Sequence, residues 1–231
     1  MVSLSLRLLS IFGLAFGGYA TLSAATIRVS ETDKTIEIVE GDTAIVTYWK
    51  ADVPPPKGVD PVFKRSGFLH PVRSPSGAIV TGIHPEDHYH HLGLWHAWVK
   101  CEIDGQEVDF WILKAKTGRV RYRKTLELIA DTESAGFVVE QEHVAYLGEA
   151  KVETVILKER FTVKARRHDG AYEIDYLTAQ ENVSAHTLNL PAYRYGGPFA
   201  YRGPHHWDNT NSDYLSSEGK TRIDEHTTVS I

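Results

Sequence analysis

Four long segments in the second half of the chain alternate apolar and polar residues, and this alternation limits what the chain can fold into. The segments are RVRYRKTLELIAD, GFVVEQEHVAYL, KVETVILKERFTVKARR and AYEIDYLTAQENV. A period of two is typical of half-buried β-strands, because successive side chains point to opposite faces of a sheet. In the last segment it places Tyr172, Ile174 and Tyr176 on one face. No window has the 3.6-residue apolar period of a helix, so this half predicts antiparallel sheet.

The first half contains shorter segments of the same kind. TIRVS, TIEIVE, TAIVTYWK, AIVTGI and LGLWHAWVKCEI read as strands. Asp104-Gly105 is a hairpin signal between the last of these and EVDFWIL. Since strand patterns run through the whole chain, we expect an all-β fold, arranged as an antiparallel two-sheet sandwich.

The first 25 residues have the pattern of a secretory signal peptide. Arg7 gives the positive start, LLSIFGLAFGGYA is a short apolar run, and Ser23 and Ala25 fit a small-residue cleavage site. We therefore expect an exported protein, periplasmic or extracellular, with residues 26–231 as one domain. No run of about 20 apolar residues follows, so no stable membrane span is expected after cleavage. The last residues, TTVSI, read as the start of another strand, which indicates a truncated form of a longer protein.

The net charge limits which partners the chain can bind, and the cysteine content limits what can stabilise its fold. The net charge is −5, and no basic stripe is present, so a nucleic-acid partner is not expected. Cys101 is the one cysteine, which excludes an internal disulfide, and its place in an alternating run predicts a small buried apolar residue.

The segment from His70 to Trp111 is the densest in chemically active side chains. Six of the twelve histidines and three of the five tryptophans lie in it. These residues are His70, His84, His88, His90, His91, His96, Trp95, Trp98 and Trp111. Such a density predicts a functional site, because buried polar groups in this number are costly unless they serve one another.

One interpretation of this segment is a metal site. In an extended segment, residues two apart point the same way, so His88 and His90 could bind one metal ion while His91 faces elsewhere. Candidates for a third ligand are His70, His205, His206, Asp87 and Glu86. Zinc, iron and copper all accept imidazole with carboxylate, so a divalent transition metal is one candidate cofactor.

The other interpretation is a carbohydrate site that uses acid–base chemistry. Imidazole and carboxylate groups bond sugar hydroxyls and relay protons near neutral pH. The candidate catalytic residues are His88, His90, His91, Asp87, His70 and Asp109, with Glu159 and Arg160 as further anchors for hydroxyls. The candidate substrate-binding residues are Trp95, Trp111, Arg202, His205, His206 and Trp207. The glycine-rich segment from Tyr195 to Trp207 is expected to face the ligand from the opposite side, and His143 is interpreted as structural.

Several motifs together resemble a known family. HPVRSPSGAIVTG, PEDHYHHLGLWHAW, DFW, YGGPFAYRG and LSSEGKTR, in this order, resemble the exported bacterial family labelled PmoA-like, or methane oxygenase PmoA, over most of residues 35–229. The family is similar to the β-supersandwich group of the aldose epimerases. The resemblance thus implies a supersandwich version of the fold and a histidine–carboxylate pair acting on a sugar.

Three functions follow from these patterns. The first is an exported carbohydrate-active protein, an isomerase, lyase or hydrolase with a small-molecule or glycan ligand. The second is a metal-dependent oxidoreductase with His88 and His90 as ligands, as the methane oxygenase label implies. The third is a non-catalytic glycan-binding module.

Overall fold

The fold consists of β-strands joined by turns and loops. The structure is a computed structural model, and it describes residues 27–193, 198–208, 210–213, 219 and 221. The strands are β1 (Ile27–Glu31), β2 (Thr35–Glu40), β3 (Thr43–Trp49), β4 (Phe68–Val72), β5 (Leu94–His96), β6 (Cys101–Ile103), β7 (Gln106–Val108), β8 (Gly118–Ala130), β9 (Ser134–Leu147), β10 (Val152–His168), β11 (Ala171–Asn182), β12 (Leu188–Asn189) and β13 (Phe199–Tyr201). Within the described ranges the helical content is a single 3₁₀ turn, Pro61–Phe63.

The strands form antiparallel sheets, and this confirms the prediction of an all-β sandwich. A six-stranded sheet has the order β1-β2-β3-β4-β5-β13, and a four-stranded sheet has the order β11-β10-β9-β8. A small third sheet, β12-β6-β7, lies beside them. Neighbouring strands pair antiparallel in each sheet.

Apolar side chains from the two larger sheets meet in the main core. The six-stranded sheet contributes Ile36, Ile38, Val46, Tyr48 and Leu69, and the four-stranded sheet contributes Phe137, Val139, Phe161, Val163 and Ala165. A second core around Phe68, Leu92, Trp95, Phe110 and Trp111 packs under the small sheet. Cys101 is fully buried in this second core, as its sequence context predicts.

The long strands β8–β11 coincide with the four alternating segments. In β10, Leu157, Glu159 and Phe161 are buried, while the residues between them are exposed. A bulge at Ile156 precedes this run, because Val155 pairs with Val144 of β9 and Leu157 pairs with the adjacent His143. A bulge adds one residue to one strand and changes which side chains point inward.

Two of the expected strands are absent or interrupted. AIVTGI forms isolated bridges at Ile79 and Ile83 in place of a regular strand. LGLWHAWVKCEI is split into β5 and β6, because Lys100 adopts φ 54°, which turns the chain between them. The hairpin prediction at Asp104-Gly105 is confirmed, with both residues at positive φ (47° and 84°) between β6 and β7.

Some expectations concern residues that the structure does not describe. The predicted signal peptide, the final TTVSI and residues 194–197 of the glycine-rich segment lie outside the described ranges. Within those ranges, no helix has the length and apolar character needed to cross a membrane.

The main core allows a direct test of the sandwich. Phe137 is fully buried, and its ring centre lies 5.2 Å from that of Tyr48 on the opposite sheet. We expect Phe137→Ala to lower the free energy of unfolding by about 3–5 kcal/mol, because it removes a buried ring and leaves a cavity. Leu177→Ala, on the exposed face of β11, should change it by less than about 0.5 kcal/mol. Urea unfolding of both variants measures the difference, and equal effects would contradict the two-sheet packing.

Candidate functional site

A tight polar turn carries three of the histidines singled out by the sequence. His88 N–H donates to Pro85 O and His91 N–H donates to His88 O, each at 2.9 Å, so the segment folds into two consecutive turns. The interpretation of an extended segment is therefore wrong here. His91 does not face away from His88, since their rings stack with centres 4.7 Å apart.

The three imidazoles form one continuous surface. The ring centre of His90 lies 4.5 Å from that of His91 and 5.5 Å from that of His88. His91 also lies 5.2 Å, centre to centre, from the buried indole of Trp95 in β5. We call His88, His90, His91 and the adjoining Arg202 the histidine wall.

Arg202 joins the wall from the segment that follows β13. Its Nε donates to His91 Nδ1 at 3.0 Å, and Nη2 lies 2.5 Å from the same nitrogen. Because a guanidinium only donates, His91 Nδ1 must accept, and the proton of this imidazole lies on Nε2. Backbone bonds fix the junction, with Gly82 N–H donating to Arg202 O and Arg202 N–H donating to Gly93 O. The described part of the Tyr195–Trp207 segment thus meets the histidine turn through Arg202.

The imidazoles of His90 and His91 are neutral near pH 7. Burial lowers the pKa of His90 to about 4, assisted by His88 and Arg202. Burial also lowers the pKa of His91 to about 3, assisted by His90 and Arg202. His88 Nδ1 lies 2.8 Å from Asp87 Oδ2, without the alignment of a hydrogen bond. Neutral imidazoles offer a lone pair and an N–H to a ligand.

Three more histidines support the loops around the wall. His70 Nδ1 lies 2.9 Å from Thr81 Oγ1, and burial lowers the pKa of His70 to about 4. His84 Nδ1 lies 2.6 Å from Tyr89 O inside the histidine turn. His205 Nε2 donates to Ile83 O at 2.7 Å, which ties the Arg202 segment to the loop before the turn.

The remaining predicted site residues have varied surroundings. Trp95 and Trp111 are buried, with ring centres 5.0 Å apart, so stacking on a sugar would require the loops above them to move. Asp109 Oδ1 accepts from the N–H groups of Trp111 and Ile112, each at 2.7 Å, and so caps the loop after β7. Two further predicted residues, His206 and Trp207, are exposed and lie a few positions after Arg202 in the chain. The ligand-binding and catalytic roles of all these residues stay predictions.

A second polar group lies inside the sandwich. His96 of β5, His143 of β9 and Glu159 of β10 are all buried, and we call them the buried triad. One ligand-capable atom from each lies within 4.8 Å of the others, and among the described residues this is the one such group of three. His143 Nε2 lies 2.7 Å from Glu159 Oε2, and His96 Nδ1 lies 2.8 Å from Glu159 Oε1.

The carboxylate of Glu159 is surrounded by donors. His143 Nε2, Thr178 Oγ1 at 2.6 Å and Gln141 Nε2 at 3.3 Å donate to it. Burial raises the pKa of Glu159, but the hydrogen bond from His143 and the approach of His96 outweigh burial and hold the pKa well below its usual range. Burial lowers the pKa of His143. The triad therefore contains one buried negative charge.

Glutamine and arginine side chains enclose the triad. Gln180 Nε2 lies 3.1 Å from His96 Nδ1, and its Oε1 accepts from Trp98 Nε1 at 2.7 Å. Arg65, fully buried, donates from Nη2 to the carbonyl of His96 at 3.0 Å. A buried polar network of this size orders the side chains that form it.

Comparison with known proteins assigns the chain to a family. A family model described as a family of unknown function, DUF6807, matches residues 35–229. The chain belongs to the DUF6807 family. No curated protein and no solved structure matches the chain.

The sequence of this DUF6807 chain does not predict the triad. It predicts a structural role for His143 and no specific role for His96, and the predicted hydroxyl anchor Glu159 is fully buried. Glu159 had a detectable signal, because alternation in β10 puts it on the inward face with Leu157 and Phe161. A charged residue at an inward position predicts a buried partner.

The low pKa values near the wall predict acid sensitivity. The pKa values of His70, His90 and His91 lie below the ordinary 6.5, so the unfolded chain takes up protons first as the pH falls. Stability should therefore fall between about pH 6.5 and pH 4, by on the order of 1 kcal/mol per histidine after allowance for solvent screening. Urea midpoints across this range measure the loss. His91→Gln should reduce the slope and His168→Gln, at the exposed end of β10, should not. An unchanged slope in His91→Gln would contradict this account.

Proposed function

We propose that the protein is an exported, carbohydrate-active protein whose ligand binds at the histidine wall. The observation that carries this proposal is the junction of Arg202 with His91, because it brings a guanidinium and an imidazole from distant parts of the chain to one surface, near the Asp87 carboxylate beside His88. Sugar hydroxyls are bound by such donors and acceptors, with aromatic rings beside them. Exposed aromatic residues lie close to Arg202 in the chain, and these are Phe199, Tyr201 and Trp207.

Each side chain of the wall would have a distinct task. Arg202 holds the proton of His91 on Nε2, so His91 would donate a hydrogen bond to a ligand oxygen. His90 is neutral and has a lone pair to accept a proton. Arg202 has no carboxylate within 4 Å among the described residues, so its charge would remain available to a ligand oxygen.

Removal of two imidazoles tests the proposal. We expect His88→Ala/His90→Ala to lower turnover by about 10²-fold or more if the imidazoles move protons, and to weaken glycan binding by 10-fold or more. The measurements are binding to a glycan array and turnover of the glycans that bind. His168→Ala, an exposed histidine away from the wall, is the matched control. If the double variant binds and converts every tested glycan as the wild type does, the proposal is wrong. Binding without turnover in the wild type would instead support a non-catalytic glycan-binding module.

The second candidate is a metal-dependent oxidoreductase, as the PmoA-like resemblance implies. What favours it is that His90 and His91 are neutral imidazoles beside His88, because metal ions bind the neutral form. His88 and His90 would be the ligands, with ring centres 5.5 Å apart. This candidate requires that metal analysis of protein purified without a histidine tag show about one equivalent that is lost in His88→Ala/His90→Ala. Less than about a tenth of an equivalent would exclude this candidate.

A further inference from the structure

The hydrogen-bond donors and acceptors in and around the buried triad do not match. The arrangement begins at Trp98, whose indole N–H donates to Gln180 Oε1 at 2.7 Å. An indole can only donate, so this bond fixes the orientation of the Gln180 amide. The NH₂ group of Gln180 must then point the other way, toward the triad.

The two ring nitrogens that face Glu159, one from His96 and one from His143, both lie near this NH₂ group. His96 Nδ1 is 3.1 Å and His143 Nε2 is 3.3 Å from Gln180 Nε2. Since an amide nitrogen only donates, each of the two imidazoles would have to accept. A nitrogen that accepts carries no proton.

The same two nitrogens also face Glu159. His96 Nδ1 lies 2.8 Å from Glu159 Oε1, in contact but outside hydrogen-bond alignment, and His143 Nε2 lies 2.7 Å from Oε2. A carboxylate only accepts, so here each imidazole would have to donate. Neither tautomer of either histidine can both accept from Gln180 and donate to Glu159. Protonating one oxygen of Glu159 would satisfy one imidazole but leave the other carboxyl oxygen facing the lone pair of the second imidazole.

A cation at the centre of the triad would resolve the conflict between the imidazoles and the carboxylate, because both ring lone pairs and the carboxylate would then face a positive charge. We propose that His96 Nδ1, His143 Nε2 and the Glu159 carboxylate bind a divalent transition metal ion. Their ligand atoms already lie within 4.8 Å of one another, and bonds of about 2.0–2.2 Å to zinc place neighbouring ligand atoms roughly 3 to 3.5 Å apart. Small rotations of buried side chains therefore suffice.

The chemistry of the ligand set selects the class of metal. Two imidazoles with one carboxylate suit zinc and iron(II) rather than calcium or magnesium, which prefer oxygen ligands. Thr178 and Gln141 donate to the carboxylate and would hold it in place as outer-sphere partners. Binding through Nε2 leaves an N–H on His143 Nδ1, which has no hydrogen-bond partner, but the cost of one unpaired N–H is small beside the free energy of zinc binding.

This site is separate from the histidine wall. His96 and Trp95 are adjacent in β5 and point to opposite sides, so the wall packs on Trp95 while His96 faces the interior. The buried triad can therefore bind metal whether or not the wall binds a sugar. It is also distinct from the His88–His90 pair.

Zinc binding by the tag-free, full-length protein tests the inference. After chelator treatment and dialysis, we expect isothermal titration calorimetry with Zn²⁺ to show about one site. Zn²⁺ should also raise the melting temperature, because it binds the folded chain. Glu159→Gln, which keeps the shape of the side chain and removes the charge, should weaken Zn²⁺ binding by 100-fold or more. His88→Ala/His90→Ala and His168→Ala should bind Zn²⁺ as the wild type does.

A measurement on the wild type keeps the inference testable if Glu159→Gln does not fold. The X-ray absorption spectrum of the bound zinc should show two imidazoles and carboxylate oxygen in the first coordination sphere. The inference is overturned by less than about a tenth of an equivalent of bound zinc, by wild-type affinity in Glu159→Gln, or by loss of binding confined to the His88/His90 variant.

Discussion

The negative charge of Glu159 inside the sandwich imposes a constraint that several strands must meet together. Removing a carboxylate from water costs several kcal/mol unless donors replace the lost hydration. The side chains around the Glu159 carboxylate come from separate strands, with His143 on β9, Thr178 on β11 and His96 on β5. The two larger sheets can therefore pack around this charge only when β5, β9, β10 and β11 are correctly placed relative to one another.

The outer histidine surface depends on the same interior. β5 has three residues, and its last two side chains serve opposite sides, since Trp95 supports the imidazole of His91 while His96 reaches Glu159. Arg65 adds a second link, because it bonds the carbonyl of His96 from within the core. A displacement of β5 would disturb both polar groups, so the position of the wall follows from the packing of the triad.

The extent to which the sequence predicts this molecule depends on how far apart the interacting residues lie. The four long strands are predictable because alternation is local, and the Asp104-Gly105 hairpin is predictable because its turn needs positive φ. The contact of Arg202 with His91 joins residues 111 positions apart, and the sequence indicates only that both neighbourhoods are rich in polar groups. The triad is harder still, since β5, β9 and β10 are brought together by tertiary packing. The left-handed conformation of Lys100, which lies in the break between β5 and β6, has no local signal either.

The bulge at Ile156 has a consequence for how the length of this chain can change during evolution. Downstream of the bulge, odd-numbered residues of β10 face inward from Leu157 to Ala165, and Glu159 therefore points into the interior. Loss of the extra residue would turn Glu159 toward solvent and bring the lysine or arginine beside it into the core. Single-residue insertions or deletions between Ile156 and Glu159 should therefore be rare among homologues, whereas the exposed turn at Asp169–Gly170 can change length without reversing the inward face.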